Sequence, residues 1–360
     1  MKRLILFLSV FAVIVTLVAN RCSNNPAGPT EQPPKDLRRL SWTVDTLAYP
    51  GSLQTLMTDM WGSSATDVYV CGDNERGYGK MYHYDGVSWT PVSISGAASL
   101  DDIYGFSADD IWAVGDSLTF NPNPKIRYAH HAVVMHFDGS KWRHVKKPEG
   151  EPLFAVGGTS SSNLFTGGWE GYLAHYDGTF WQPDSVPIAA PKEGHSEVLA
   201  IAGNPGFNDI YMVFTVGGTG NHYLLKHSSA GWKVVKDMRN DDMNNLWYSP
   251  WGTLYGTGGF VQKWSGTDWE EVLYIQTFLS FSIYGTDANN LFIVGHAGTS
   301  LTGGRYGEVI HYNGEDWYEY KELQFPGIEY KDVWTDGNEV FVVGWYTDSF
   351  PNITLVLHGK

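Results

Sequence analysis

Residues Asp67-Val68-Tyr69-Val70-Cys71-Gly72 have the pattern of a short buried β-strand that ends at a glycine. The pattern, an aliphatic residue followed by an aromatic one, returns six more times, in copies that begin at Asp110, Asn163, Asp209, Thr253, Asn290 and Glu339. Every copy except that at Asp209, where Phe214 takes the place, keeps a glycine five positions after its first residue. Such self-similarity along the chain predicts a repeat fold of seven units.

A second signature, His83-Tyr84-Asp85-Gly86-Val87-Ser88-Trp89, follows the first copy and recurs in phase with it. Its other copies are His136–Trp142, His175–Trp181 and His311–Trp317, and degenerate copies end at Trp232 and Trp269. An Asp-Gly or Asn-Gly pair between two apolar segments favours a tight hairpin, because glycine adopts the positive φ that the turn needs. Each unit therefore predicts four antiparallel strands, which we call A to D, with the hairpin between C and D.

Repeats of about 40–50 residues with four strands each are typical of a β-propeller. The sequence thus predicts an all-β, seven-bladed β-propeller with four antiparallel strands per blade. Two β-sandwiches are the alternative, but sandwiches would not need a seven-fold repeat in phase. We expect the tryptophans at the hairpin positions to be structural, and they are Trp42, Trp89, Trp142, Trp181, Trp232, Trp269 and Trp317.

The seventh unit shows how the ring is expected to close. Its strands A, B and C fall around residues 330–334, 340–344 and 353–358, and no strand D follows them. The segment Leu40-Ser41-Trp42-Thr43-Val44-Asp45 has the pattern of the missing strand, with its tryptophan in the hairpin position. We therefore predict that this N-terminal strand completes the last blade, which removes an exposed sheet edge.

Composition excludes several classes of protein. The 360 residues include 15 Trp, 21 Tyr and 41 Gly, and only 18% are charged, which argues against a disordered chain, a coiled coil or a helical bundle. The formal net charge of −15 repels phosphate, so we expect no nucleic-acid partner. Two cysteines cannot form a disulfide framework.

The first residues have the form of an export signal. Lys2 and Arg3 precede an apolar run over residues 4–19, which is marginal in length for a permanent membrane anchor. Cys22 and a Pro-rich stretch follow, and this arrangement resembles a bacterial lipoprotein signal. The resemblance implies a signal peptide over 1–21, a lipidated Cys22 with a tether over 22–39, and a propeller over 40–360. A plain secretory signal or an uncleaved anchor are the alternatives, since Arg21 departs from the lipoprotein pattern.

The hairpin Asp85-Gly86-Val87-Ser88-Trp89 resembles a degenerate Asp-box, the turn of sialidase-type propellers, although it is one residue shorter. The whole repeat also resembles those of photosystem assembly-factor-like propellers and of exported bacterial propeller lipoproteins. The resemblance implies the fold, and it implies structural roles for Asp85, Asp138 and Asp177. It does not indicate a function, because propellers carry lectins, hydrolases, lyases and scaffolds.

Loop length selects one face as the expected working surface. The B–C loops at residues 116–131, 296–308 and 345–352 and the D–A link at 183–197 are long, whereas the A–B and C–D turns are short. B–C and D–A loops emerge on the same face of a propeller, and loops on a rigid scaffold commonly carry function. The candidate ligand-binding residues of that face are Arg76, Arg127, Tyr128, His130, Trp169, Arg305, Tyr306, Trp345 and Tyr346.

We expect a non-enzymatic binding or scaffold module, a monomer held by a lipid anchor at the cell envelope, in the outer membrane or at the cell surface. Without lipidation it would be secreted or periplasmic. The expected partner is an envelope protein or a glycan, and a glycan-binding or glycan-active propeller is the alternative function. No catalytic residue is assigned, and no cofactor or metal is expected. Adjacent His130 and His131 would point to opposite faces of a strand, which disfavours a zinc site.

Overall fold

The computed structural model describes residues 36–76, 80–97, 99–120, 128–146, 149–189, 195–217, 221–239, 243–298, 304–347 and 350–360, and leaves the side chains of Phe120 and Tyr128 undescribed. Residues 37–360 form one compact unit. The described part of this unit consists of 28 β-strands and two short 3-10 helices, Leu37–Arg39 and Lys321–Leu323. Its strands pair in antiparallel groups of four, which confirms the predicted all-β class.

We number the groups of strands sheets 1 to 7 in chain order. Sheet 1 contains β2 (Thr55–Ser64), β3 (Asp67–Asn74), β4 (Met81–Tyr84) and β5 (Trp89–Pro91). Sheet 2 contains β6 (Ser99–Ser107), β7 (Asp110–Phe120), β8 (Tyr128–Phe137) and β9 (Trp142–His144). Sheet 3 contains β10 (Leu153–Ser160), β11 (Asn163–Gly168), β12 (Leu173–Tyr176) and β13 (Trp181–Pro183). A pair between Asp73 and Ser99 joins sheets 1 and 2.

Sheet 4 contains β14 (Ser196–Gly203), β15 (Ile210–Val216), β16 (Asn221–Ser228) and β17 (Gly231–Arg239). Sheet 5 contains β18 (Met243–Tyr248), β19 (Leu254–Gly258), β20 (Val261–Trp264) and β21 (Trp269–Leu273). Sheet 6 contains β22 (Leu279–Asp287), β23 (Asn290–Ala297), β24 (Tyr306–Tyr312) and β25 (Trp317–Glu319). Sheet 7 contains β26 (Ile328–Thr335), β27 (Val340–Tyr346), β28 (Thr354–Gly359) and, as its outer strand, β1 (Trp42–Leu47).

The outer strand β1 comes from the opposite end of the described chain. It pairs antiparallel with β28 from Trp42 opposite Gly359 to Leu47 opposite Thr354. A second link joins sheet 7 to sheet 1, because the Thr354 hydroxyl accepts from the Met57 amide at 2.9 Å and donates to the Thr55 carbonyl at 2.7 Å. We call strand A of each sheet its inner strand; these are β2, β6, β10, β14, β18, β22 and β26. Inner strands of consecutive sheets contact each other, and the contact between β26 and β2 continues this series from sheet 7 to sheet 1.

The two sequence signatures are physically linked through the histidine of strand C. His83 stacks on Tyr69 at 4.3 Å between ring centroids, and its Nε2 lies 2.7 Å from a carboxylate oxygen of Asp67. The same pair of contacts joins strands B and C in four other sheets, through His136, His175, His311 and His358. The acidic or amide residue, the aromatic residue and the histidine therefore recur together because they form one contact.

The hairpins join each sheet to the preceding one. The Asp85 carboxylate accepts hydrogen bonds from the amides of Val87 and Ser88, both at 2.9 Å, and Gly86 takes a φ of +91° in the turn. The hairpin tryptophans then pack on the strand-B aromatic residue of the previous sheet, in the pairs Trp142–Tyr69, Trp181–Trp112, Trp232–Phe165 and Trp89–Phe341. Trp42 packs against Tyr320 at 5.3 Å.

Every inner strand contains an irregularity in its register within its first half. The residues that follow it in sheets 7, 1 and 2 are Asp332, Asp59 and Asp102. Each carboxylate accepts the backbone amide of the next sheet: Asp332 from Met60 at 2.8 Å, Asp59 from Ile103 at 2.7 Å, and Asp102 from Val156 at 2.6 Å. Two residues further along each strand, Trp334 packs against Gly62, Trp61 packs against Gly105, and the Tyr104 hydroxyl donates to the Gly158 carbonyl at 3.1 Å. Because both contacts keep the same order along the two strands, the inner strands of sheets 7, 1, 2 and 3 run in the same direction.

One predicted loop is wrong. Residues 116–131 were expected to form the B–C loop of the second repeat, but β7 extends to Phe120 and β8 begins at Tyr128. The ladder continues through Asp116–Ala132, Ser117–His131 and Leu118–His130. Residues 117–120 include Leu, Thr and Phe, which suit a strand, and the proline-containing stretch that would stop a ladder starts only after them.

Candidate functional site

A cavity of about 890 Å³ lies at the ends of strands in sheets 1 to 3. Its walls come from the end of strand B, the start of strand C and the start of the inner strand, which is the face that loop length had selected. We call it the acidic pocket, because five carboxylates line it against one lysine and one histidine. The lining carboxylates are Asp73, Glu75, Asp101, Asp116 and Glu151.

One hydroxyl joins the two deepest carboxyl groups of the acidic pocket. The Ser99 oxygen lies 2.8 Å from Asp101 Oδ2 and 2.9 Å from Asp116 Oδ1. The other oxygen of Asp116 is hydrogen-bonded to His130 Nδ1. Burial raises the pKa of Asp101 to about 7, and the negative charge of Asp116 acts in the same direction. The pocket therefore gains negative charge as pH rises through neutrality.

The positive groups of the acidic pocket are already neutralised. The ammonium group of Lys80 is buried and donates to Asp73 Oδ1 at 2.9 Å and to the Asn74 carbonyl. Glu75 accepts from the amides of Leu53 and Gln54, and together with a bond from Ser52 these hydrogen bonds lower its pKa to about 2. Because its carboxylates outnumber its cations, the pocket attracts positive charge.

Two aromatic side chains form the apolar wall of the acidic pocket. Trp169 and Phe154 are half-buried, and their ring centroids lie 6.3 Å apart in an edge-on arrangement. The ring centroids of His195 and Trp169 lie 4.6 Å apart, and the His195 imidazole is hydrogen-bonded to Glu170. An aromatic face beside carboxylates provides the cation–π and ionic contacts that bind ammonium and guanidinium groups.

A second group of charged side chains lies at the same kind of strand ends in sheets 6 and 7. We call it the Glu329 cluster. Glu329 is buried and binds Arg305 Nη1 at 3.1 Å and Lys331 Nζ at 2.6 Å through different oxygens. The Lys331 ammonium lies over the rings of Phe281, at 4.0 Å, and Trp345, at 4.5 Å. These cations hold the pKa of Glu329 below its usual range, with Lys331 the strongest.

Four of the nine predicted ligand-binding residues lie in these two places. His130 and Trp169 line the acidic pocket, and Arg305 and Trp345 belong to the Glu329 cluster. Tyr306 and Tyr346 are packed against the hydrophobic core beside that cluster. Arg76 is exposed and donates to the Gly51 carbonyl at 2.9 Å. Arg127 and Cys22 lie outside the described residues, as does the side chain of Tyr128, the first residue of β8.

Sequence reasoning missed the acidic residues of the site. Asp101 and Lys331 both occupy the position of the register irregularity in the inner strand, directly before the carboxylates that join the sheets. The signal was a third repeated pattern, seen in Asp59-Met60-Trp61-Gly62 and Asp102-Ile103-Tyr104-Gly105. Aligning the residue before each such Asp would have identified the side chains at the register irregularities, among them Asp101 of the acidic pocket and Lys331 of the Glu329 cluster.

The described part of the chain contains no group of three or more His, Cys, Asp or Glu side chains with a geometry that could hold a metal ion. Cys71 is buried and free, and burial raises the pKa of its thiol, so it is not an activated nucleophile. Within the residues that the structure describes, no helix has the length and apolar character needed to cross a membrane.

No protein family and no curated protein matches the sequence. Solved structures do match the fold. A structure of YCF48 bound to D1 peptide has a TM-score of 0.58 at 14% identity, over 88% of this chain and 96% of that one. A streptogramin B lyase has a TM-score of 0.60 at 11% identity, over 89% and 98%. The GH74 enzyme of Niastella koreensis has a TM-score of 0.61 at 13% identity, over 85% of this chain and 54% of that one.

These neighbours are β-propeller proteins, so the chain has a β-propeller fold. The chain spans about half the length of the GH74 enzyme. The neighbours differ in function, and at identities of 11–14% their likeness to this chain concerns the fold alone.

Proposed function

We propose that this protein is a seven-bladed propeller, closed by β1 in its last blade, which acts as a non-enzymatic binding module for a basic segment of another protein. The observation that carries the proposal is the acidic pocket, where carboxylates outnumber cations beside the aromatic wall of Trp169 and Phe154. A lysine or arginine side chain would find both ionic and cation–π contacts there.

Three further observations support a binding role. The pocket volume of about 890 Å³ lies within the range of sites that enclose peptide side chains or small ligands. A structural neighbour, YCF48, holds a peptide in its solved complex. The face also carries exposed apolar side chains at Leu53, Leu118 and Phe350 and a stacked pair, Phe260 and Tyr274, with ring centroids 5.1 Å apart.

A lysine- and arginine-containing peptide is expected to bind the protein, and Trp169→Ala is expected to weaken that binding by about thirtyfold. The reason is that truncating a central aromatic anchor removes about 2 kcal/mol of binding free energy. Calorimetric titration measures the loss. Phe180→Ala is the control, because Phe180 is an aromatic side chain of sheet 3 that is exposed in the turn at the opposite strand ends.

Charge is tested in the same way. Glu151→Gln in the pocket should weaken peptide binding, whereas Glu315→Gln in the turn of sheet 6 should not. The two variants are matched, because each removes one exposed carboxylate from a chain of net charge −15. Equal losses in the two variants would show that the peptide responds to net charge alone, and the acidic pocket would then not be its site.

We also propose that the protein is an envelope lipoprotein held in the membrane by lipid on Cys22. The support is the cysteine's position directly after an apolar run and before a Pro-rich stretch. Cys22→Ser is expected to move the protein from the detergent phase to the aqueous phase in a phase-separation assay, and Ser23→Ala should leave it in the detergent phase. Intact Arg21–Cys22 peptide in the mature protein, found by mass spectrometry, would contradict lipidation.

A glycan-active propeller is the second candidate, and one observation favours it. Asp101 has a pKa of about 7 and shares Ser99 with Asp116, so a carboxyl group that is half-protonated at neutral pH lies beside a second carboxyl group and an aromatic wall. Glycan binding or polysaccharide cleavage that Asp101→Asn abolishes, with no binding of basic peptide, would select this function.

A further inference from the structure

The acidic pocket and the Glu329 cluster lie on the same face of the protein. The pocket residues come from the end of β3, the start of β6 and the start of β10, and the cluster residues come from the ends of β23 and β27 and the start of β26. Both sets of residues therefore lie where the inner strands begin and where strands B end. Because the inner strands of sheets 7, 1, 2 and 3 run in the same direction, those ends point to one side.

The two sites differ in the sign of their charge. In the Glu329 cluster, both oxygens of the buried carboxylate are occupied by cations, Arg305 on one and Lys331 on the other. One negative charge thus faces two positive charges. The side chain of Arg305 is 57% exposed and extends from the edge of the cluster towards solvent, so it can bind another acceptor.

His296, near the end of β23 and beside Glu329, provides a second observation at this cluster. His296 is only 7% exposed, and among the described residues its Nδ1 has no hydrogen-bond partner. The nearest carboxylate oxygen, Glu329 Oε1, is 3.7 Å away, beyond hydrogen-bond distance. Buried polar nitrogens are usually paired, so this nitrogen is an exception within the described residues.

We propose that the Glu329 cluster binds a carboxylate of the same partner segment whose basic side chain enters the acidic pocket. The face then has two poles, a negative one on sheets 1 to 3 and a positive one on sheets 6 and 7. The partner is a protein segment in which a Lys or Arg is followed, after an extended spacer, by an Asp or Glu. The two poles fix the direction in which the segment lies across the face.

The aromatic rings favour a peptide carboxylate at the positive pole. Phe281 and Trp345 enclose the Lys331 ammonium, so this lysine presents a fixed charge framed by apolar surface. The methylene groups of a Glu side chain would contact these rings while its carboxylate meets the Arg305 guanidinium. The proposal deepens the proposed function and rests on it.

The test uses two synthetic peptide series on the full chain. Both series carry a Lys-Arg anchor and Gly-Ser spacers of increasing length, and they end in either Glu-Glu or Gln-Gln. At the best spacer, the Glu-Glu peptide is expected to bind about tenfold more tightly than its Gln-Gln partner, because a forked guanidinium–carboxylate pair exceeds an ordinary surface ion pair. Arg305→Gln should abolish this preference.

Arg143→Gln is the matched control. Arg143 is 55% exposed and paired with Asp138 at 2.7 Å, and it lies in the hairpin at the opposite strand ends, so the tenfold preference should remain in this variant. Equal binding of the two series by the native protein, or a preference that survives Arg305→Gln, would overturn the inference.

A third peptide separates this inference from the proposed function. An acidic peptide without the Lys-Arg anchor should bind weakly to the native protein and less to Arg305→Gln. If anchored peptides bind with no preference for Glu-Glu, only the two-pole inference fails. If the anchor contributes nothing, the proposed function fails, and the acidic peptide alone decides whether the positive pole exists: no Arg305-dependent binding would refute it.

Discussion

A variant that lacks residues 36–47 is expected to be unfolded or aggregated at 25 °C. Deletion removes all six residue pairs between β1 and β28 and exposes the edge of β28, whose side chains are buried along its whole length. It also removes the buried side chains of Leu37, Leu40 and Leu47, each of which stabilises the fold by about 1.5–3 kcal/mol. Together with Trp42 this approaches the total stability of roughly 5–15 kcal/mol for a typical domain.

Point variants make the deletion interpretable. Trp42→Ala should lower the melting temperature by several degrees, because the ring packs on Tyr320 and against Gly359. Thr46→Ala, an exposed position on the same strand, should change it little. A peptide of residues 37–47 added to the deletion variant should restore a cooperative melting transition. A deletion variant that melts within a degree or two of the parent would show that β1 does not close the ring.

The second large effect concerns the carboxyl groups between sheets. Asp59 faces both Asp102 and Asp332, and two carboxyl groups can hydrogen-bond each other only when one carries a proton. Surrounding protein and these two neighbours raise the pKa of Asp59 well above its ordinary value. The folded state therefore retains a proton that the unfolded chain releases above about pH 4.

Stability should fall as pH rises above this point, and Asp59→Asn should remove part of the fall. The free energy of unfolding of the variant, measured by denaturant titration between pH 5 and pH 8, is expected to exceed that of the parent by a margin that grows as the pH is raised above 5. The growth cannot exceed about 1.4 kcal/mol per pH unit, which is the slope for the release of one proton. Asparagine keeps the acceptor for the Ile103 amide and needs no proton.

Asp336→Asn provides the control for this measurement. The exposed Asp336 carboxylate accepts from the amides of Asn338 and Glu339, and asparagine supports the same turn. Its effect on unfolding free energy should therefore not change with pH. A parent and an Asp59→Asn variant that differ by a constant amount from pH 5 to pH 8 would mean that Asp59 is ionised in the folded protein.

The strand order of each repeat could be predicted because its determinants are local. The Asp-Gly turns fix the hairpin, and the acidic, aromatic and histidine residues of strands B and C contact one another within a sheet. The pairing of β1 with β28 also follows from one repeat that lacks a strand and one segment that has its pattern. Only the extension of β7 and β8 beyond Asp116 was misjudged, because strand residues there precede the turn.

The site was harder to predict because its chemistry depends on contacts between sheets. His130 and Trp169 were found as polar and aromatic residues near predicted loops. Asp101 was not, because its raised pKa comes from burial in the assembled pocket and from Asp116 on the adjacent strand. The cation pair on Glu329 was equally hidden, since Arg305 and Lys331 belong to different sheets and only the fold brings them together.

The ladder between β1 and β28 also sets the order in which the molecule can be completed. The Thr43 hydroxyl donates to the carbonyl of His358, a residue 315 positions further along the chain. At ~5–20 residues per second, a ribosome needs roughly 15–60 s to synthesise that interval. For that time strand β1 has no partner, although each intervening sheet can form as soon as its own four strands are available. Of the strands that the structure describes, the first to be made is therefore the last to be paired, and the slow, non-local step in folding falls after the final strand has emerged.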